Sequence, residues 1–266
     1  MPELPDLEVV KKVLREKIRQ SRITRVDIKS PITVKKPIAR QLPAEIEGIT
    51  ITDIDRRGKM LIFYLDNGKK IVLHMMLYGR LQYCPVTLPL TKDNLIIFNF
   101  NGYQLRLNDA RRMAKLYCVD DLTQVMELKK LGPEPLAKNF TLETLQNIFK
   151  KQWTKIKALL MDQSKIAGIG NAYADEILFA AGIHPAKPAT SLGLDEQKRL
   201  FTAMQEVMTS SMEEIISHIG ERIEVEYRDH LKVHGRAGKP CPHCGSIIAG
   251  IKIGGRGTAF CPSCQK

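Results

Sequence analysis

The run Met60-Leu-Ile-Phe-Tyr-Leu65, the turn Asp66-Asn67-Gly68-Lys69 and the run Lys70-Ile-Val-Leu-His-Met75 decide the reading of the fold. Two short apolar runs joined through Asn-Gly read as a β-hairpin. The signal recurs at Asn101-Gly102, between Leu95–Phe100 and Tyr103–Leu107. Outward from these turns, Ile23 to Val119 consists of short runs rich in Ile, Val, Leu, Phe and Tyr, which predicts an antiparallel sandwich or barrel. Cys84 and Cys118 fall in such runs and read as strand residues. A helix is expected before them, because Pro5 suits a first helical position, Asp6 and Glu8 suit the first turn, and Leu7, Val10, Leu14 and Ile18 share one face. After the punctuation of Leu131-Gly-Pro-Glu-Pro-Leu136 the period becomes helical, over Thr141–Lys151, Thr154–Met161, Asn171–Ala181 and Leu194–Ile219. The sequence therefore reads as an α+β chain with a β-rich domain over 1–125, a helical domain over 126–225 and a small basic module over 226–266.

Forty-one Lys and Arg against 29 Asp and Glu leave a net charge of +12, which favours an anionic partner, nucleic acid before acidic membrane. From His230 to Lys266 there is no acidic residue at all, although a solvated basic tail has the same composition. No apolar run of 18 residues exists, so no membrane-spanning helix is expected, and the acids and prolines of Met1–Asp6 do not fit a signal peptide. The expected compartment is therefore reducing.

Cys241-x-x-Cys244 and Cys261-x-x-Cys264, separated by sixteen residues, fit a four-cysteine zinc pattern. Each pair sits in a tight knuckle, and four thiolates leave a zinc ion no open position, so the metal is structural. Redox-active dithiols or disulfides share the spacing; two matched pairs in a reducing compartment favour one zinc. Ser246–Phe260 between them can form a hairpin with Arg256 near its turn. At the other end, removal of Met1 exposes the secondary amine of Pro2. An α-amino group titrates near 7.7–8.0, so a useful fraction is unprotonated at neutral pH and can attack an aldehyde carbon to form an iminium. Glu3 beside it can move a proton. Many chains begin Met-Pro with an inert terminus, so these two residues alone do not establish chemistry.

Met1-Pro-Glu-Leu-Pro, the Arg57-Gly-Lys59 turn, His74, Asn108-Asp-Ala-Arg-Arg112, Leu131-Gly-Pro-Glu-Pro-Leu136, Gly168-Ile-Gly-Asn171-Ala-Tyr-Ala and the terminal cysteine pairs occur in that order. The chain thereby resembles the formamidopyrimidine-DNA glycosylase and endonuclease VIII family along essentially its whole length, and Leu178-Phe-Ala-Ala-Gly-Ile-His-Pro185 resembles the formamidopyrimidine branch. The resemblance implies an N-terminal β-sandwich preceded by a helix, a helix–two-turn–helix domain and a C-terminal zinc finger. It implies a monomeric base-excision repair enzyme acting on damaged double-stranded DNA, in the cytoplasm and at the nucleoid. Such an enzyme flips the damaged base out, because chemistry cannot reach it in the stack. Pro2 would attack the sugar while Glu3 donates a proton, Lys59 would move protons during β-elimination, Arg256 would serve δ-elimination, and Asp6 would stand near Pro2. Asn171, at a helix start after a Gly-rich turn, would hold phosphate with Lys157 and Arg256, and His74 would contact phosphate. Leu77, Arg111 and Met113 would fill the vacated stack, with Arg111 addressing the base opposite the lesion.

Several departures qualify the substrate. Met113 and Ala110 replace the Phe and Pro of several members, which predicts looser discrimination of the opposite base. Asp6 replaces a usual Glu and is one methylene shorter, and Ser217–Leu231 is short for the loop that caps 8-oxoguanine in well-known members. Abasic, ring-opened and hydantoin-type lesions are therefore expected to be better substrates than 8-oxoguanine. Two rival readings are a non-catalytic binder of damaged DNA, for which Pro2, Glu3 and Lys59 have no use, and an RNA-binding zinc-ribbon protein.

Overall fold

In a computed structural model describing residues 1–150 and 152–266, the expected first helix is α1, Leu4–Ile18. Pro5 lies in its first turn, where a missing N–H leaves no bond unmade. Strands β1 (Arg25–Ile28), β2 (Val34–Lys36), β3 (Ile51–Arg57), β4 (Met60–Leu65), β5 (Lys70–His74), β6 (Arg80–Pro85), β7 (Asn94–Asn99), β8 (Tyr103–Asn108) and β9 (Lys115–Val119) follow, with a short α2 (Leu42–Ile46) before β3. They form two sheets, ordered β2-β9-β5-β4-β3 and β1-β7-β8-β6. Every pairing in them is antiparallel except that of β2 with β9. The two-residue side-chain period sends Leu61, Phe63 and Leu65 of one sheet, and Ile96, Phe98, Leu105 and Leu107 of the other, into one buried cluster. Leu7, Val10, Leu14 and Ile18 of α1 belong to the same cluster, as their spacing predicts. Each such side chain contributes about 1.5–3 kcal/mol of transfer free energy.

Both Asn-Gly hairpins form, but only the glycines, Gly68 and Gly102, take positive φ. Gly68 N–H donates to the Leu65 carbonyl at 3.0 Å, giving a type I turn closed by a left-handed glycine rather than a primed turn. Cys84 lies in β6 and Cys118 in β9.

The chain forms two units, Met1–Lys129 with Ile215–Tyr227, and Lys130–Glu214 with Arg228–Lys266. The first is the sandwich with a short α3 (Met126–Lys129). The second holds α4 (Leu142–Phe149), α5 (Ile156–Met161), α6 (Asn171–Ala180), most of α7 (Leu194–Ile219) and the hairpin β10 (Ala249–Ile253) and β11 (Arg256–Phe260). Thr141 caps α4 by accepting from Thr144 N–H at 3.2 Å. Lys151, the expected end of that helix, lies outside the described residues. Gly132 lies so close to the loop before α6 that a Cβ there would meet the Lys165 backbone at 2.6 Å. Its N–H donates to the Gln163 carbonyl at 2.8 Å, and the Gln163 side chain in turn spans the loop, bonding the Ile169 carbonyl and Gly168 N–H. The punctuation motif therefore buttresses the turn from which α6 starts.

Candidate functional site

In the first unit, Pro2 and Glu3 are buried at the head of α1, with Glu3 in the N-cap position. Asp6 is turned to the backbone: its Oδ2 accepts from Glu3 N–H at 2.7 Å, which fixes the residue next to Pro2. Lys59 is buried in the two-residue turn between β3 and β4, and Gly58 before it takes φ +58°. A positive φ at the first turn position alone is what glycine supplies in this register. Arg56 couples this turn to α1. Its Nε donates to Glu8 Oε1 at 2.7 Å and its guanidinium donates to the Gly58 carbonyl at 2.9 Å. Burial alone would raise the Glu8 carboxyl, but the charges of Arg56 and Lys11 outweigh it and hold the group below its usual range. His74, opposite Met60 in the β4–β5 ladder, is pushed down to about 4 by burial and by the charges of Lys115 and Lys59. It is therefore neutral at pH 7 and can meet an anion only as a hydrogen-bond donor.

Leu77, Arg111 and Met113 occupy two loops of the same unit. Leu77 and Tyr78 are exposed at the tip of the loop from Met75 to Gly79, which closes with Gly79 N–H donating to the Met75 carbonyl at 2.9 Å. The second loop is organised by Asp109, buried, whose carboxylate accepts from the N–H groups of Arg111, Met113 and Ala114 at 2.8–2.9 Å. The loops meet where the Arg111 guanidinium lies over the Tyr78 ring, 5.0 Å from its centroid. Arg111 is exposed and Met113 half-buried.

In the second unit, Lys157 is not at the surface as a direct phosphate contact requires. It is fully buried, with Nζ 2.7 Å from Asp175 Oδ1 and donating to Thr258 Oγ1 at 2.7 Å and to the Gly257 carbonyl at 3.2 Å. An ammonium so far from water needs these partners. Asn171 Nδ2 reaches the same Gly257 carbonyl at 3.0 Å. Lys157 and Asn171 thus grip the backbone next to Arg256, which is exposed at the start of β11 after the Gly254-Gly255 turn. Asp175 extends the network to His234 Nδ1 at 2.7 Å. The Sγ atoms of Cys241, Cys244, Cys261 and Cys264 lie within 4.8 Å of one another, two pairs of them at 4.0 and 3.5 Å. A tetrahedral zinc with bonds of about 2.3 Å requires sulfurs about 3.8 Å apart, so the four thiols fit one structural ion. The hydroxyl and N–H of Ser246 lower the Cys244 thiol, whereas burial and the neighbouring thiols raise that of Cys264.

Sequence reasoning missed Arg56, Tyr78, Asp109, Asp175 and His234. Asp109 carries a local signal, an aspartate opening a turn, whereas Arg56 and Asp175 act through partners distant in the chain.

Residues 1–116 match the model of the formamidopyrimidine-DNA glycosylase N-terminal domain, 131–220 the H2TH domain of the same enzymes, and 238–266 the zinc finger found in FPG and IleRS. The formamidopyrimidine-DNA glycosylase of Pelotomaculum thermopropionicum is 37% identical over 274 residues, covering 100% of this chain and 99% of the relative. That of Desulforamulus reducens is 38% identical over 275 residues, with coverage of 100% and 99%. Among solved structures, Lactococcus lactis Fpg in complex with abasic-site DNA superposes with a TM-score of 0.92 at 31% identity, covering 99% of each chain. The same Lactococcus lactis protein in complex with a Fapy-dG-containing DNA gives a TM-score of 0.91 at 32% identity, covering 99% of this chain and 100% of that one.

Proposed function

The chain belongs to the formamidopyrimidine-DNA glycosylase family, and from that membership we propose that it is a bifunctional DNA glycosylase and abasic-site lyase of base-excision repair. The observation that carries the reading is the head of α1: Pro2 and Glu3 are buried there, and Arg56 clips the Lys59 turn to the same helix. With Met1 removed, the Pro2 nitrogen attacks C1′ of the lesion nucleoside. The bond from C1′ to the base breaks, the base leaves with a proton supplied through Glu3, and the opened sugar is held as an iminium. The iminium withdraws electrons, so a C2′ proton becomes acidic and its loss expels the 3′ phosphate. A second elimination expels the 5′ phosphate, and water releases Pro2. Lys59 moves protons in these eliminations, Arg256 steadies the departing phosphate, and Asp6 positions Glu3 through its backbone.

Asn171 and Arg256 hold the phosphate backbone, Lys157 orders the hairpin that presents Arg256, and His74 donates a neutral hydrogen bond to phosphate. Leu77 and Met113 wedge the stack and Arg111 reads the base opposite the lesion. The work is done on damaged duplex DNA, in the cytoplasm and at the nucleoid; no helix among the described residues is long and apolar enough to cross a membrane. A duplex with one abasic site tests the reading. The expected products carry phosphate on both sides of a one-nucleotide gap, and binding without cleavage would leave only a damaged-DNA binder.

A further inference from the structure

Tyr78 stands 49% exposed at a loop tip beside Leu77, an aromatic ring that the sandwich core does not cover. Its ring face is covered on one side by the Arg111 guanidinium at 5.0 Å. Both loops that support this stack are tightly closed. On one loop Met76 takes φ +55°, and a Cβ at Gly79 would meet the Met75 carbonyl oxygen at 2.4 Å, so only glycine closes the turn. On the other, Arg112 takes φ +53° and the Asp109 carboxylate collects three backbone N–H groups. A guanidinium on a flexible stem samples many planes, and an aromatic face beneath it restricts them.

We propose that Tyr78 is a specificity-determining residue, whose ring holds the Arg111 donor fork in the plane needed to read the base opposite the lesion. The inference rests on the glycosylase reading above. It runs against the looser discrimination expected from Met113, and the test below separates the two. Arginine has donors only, and cytosine alone presents two adjacent acceptors, O2 and N3, on its pairing edge; thymine sets the N3–H donor between its two acceptors, adenine offers N1 alone beside an amino donor, and guanine offers O6 alone beside two donors. A fork held in plane therefore favours cytosine, and a fork free to tilt favours it less.

The test is single-turnover cleavage of abasic-site duplexes with each of the four bases opposite, by the wild type, Tyr78→Ala, Tyr78→Phe, Arg111→Ala and the Tyr78/Arg111 double variant. Wild type is expected to cut fastest opposite cytosine, and Tyr78→Ala to reduce the cytosine-to-adenine rate ratio about three- to tenfold. Tyr78→Phe should keep the wild-type ratio, and the double variant should match Arg111→Ala. A ratio unchanged in Tyr78→Ala, or lost equally in Tyr78→Phe, overturns the proposal. A wild type that cuts all four duplexes at one rate overturns it while sparing the glycosylase reading, and a wild type that cuts none overturns both.

Discussion

The Arg56 guanidinium joins the Glu8 carboxylate to the Gly58 carbonyl, so its removal acts on stability and on Lys59 together. Arg56→Ala leaves Glu8 to Lys11 and is expected to cost about 2–3 kcal/mol in urea denaturation. It should also slow cleavage of abasic DNA at least about tenfold, because the turn carrying Lys59 loses its tether. Cleavage at the wild-type rate would remove Arg56 from the account. His74 titrates near 4 in the folded chain against an ordinary value near 6.5, because burial and neighbouring cations disfavour its charge. The unfolded chain therefore takes up a proton between those values that the folded chain refuses, so stability falls as pH drops from about 6.5 to about 4, by at most about 3 kcal/mol from this group. His74→Gln should flatten the pH dependence of the urea midpoint in that window. A neutral His74 also displaces no counterion, so His74→Gln should leave the salt dependence of DNA binding unchanged, whereas Arg256→Ala lowers its slope by about one. Pro2, Glu3 and Lys59 stood out in the sequence through the family resemblance, since a Met-Pro terminus and a lysine after a glycine are common, and their roles are those proposed above. Arg56 did not stand out, because its partner on α1 is 48 residues away and only the fold makes them neighbours.

At the scale of elements, the β10–β11 hairpin is held by its zinc knuckles and by Lys157 from α5, whose ammonium meets the hairpin at Thr258 and Gly257. Cys244→Ser should release the one expected zinc equivalent, weaken DNA binding and reduce the salt slope at least as much as Arg256→Ala. Full affinity in a metal-free protein would contradict this arrangement. The zinc site was legible because four cysteines at that spacing have few uses; the inward turn of Lys157 was not, since a lysine in a basic sequence reads as a surface charge until Asp175 is found beside it. The segment after α7 bears on the lesion. Ile223 is buried in the sandwich core, Glu221 pairs with Lys17 at 2.6 Å, and Glu226 pairs with Arg80. A short stretch tied to the core through Ile223, with two exposed ion pairs adding little, has limited chain left to fold over a flipped base. Abasic and ring-opened or hydantoin lesions are therefore expected to be processed faster than 8-oxoguanine opposite cytosine in single-turnover assays, and the reverse order would show that this segment does not limit the pocket.

For the whole molecule, the net charge of +12 supplies sequence-independent attraction to a polyanion, on which the chemistry proposed for the site residues builds. The first unit carries Pro2, Glu3, Lys59 and the Leu77–Arg111 loops, while the second carries Asn171, Arg256 and the zinc finger. The sandwich was legible from its turn chemistry and the helices from their period, because both depend on local sequence. Which buried partner fixes each functional group depends on contacts across the fold, and there local reading stopped. Every step of the proposed reaction follows from a covalent bond between Pro2 and DNA. Borohydride added during reaction with a duplex containing one abasic site tests it most directly, because it reduces an iminium to a stable amine that can be mapped by peptide mass. A one-to-one protein–DNA adduct at Pro2 of the processed chain is expected, abolished by Pro2→Gly and by retention of Met1, with DNA binding within a few fold of wild type. An adduct mapped to a lysine, or undiminished trapping by Pro2→Gly, would contradict it.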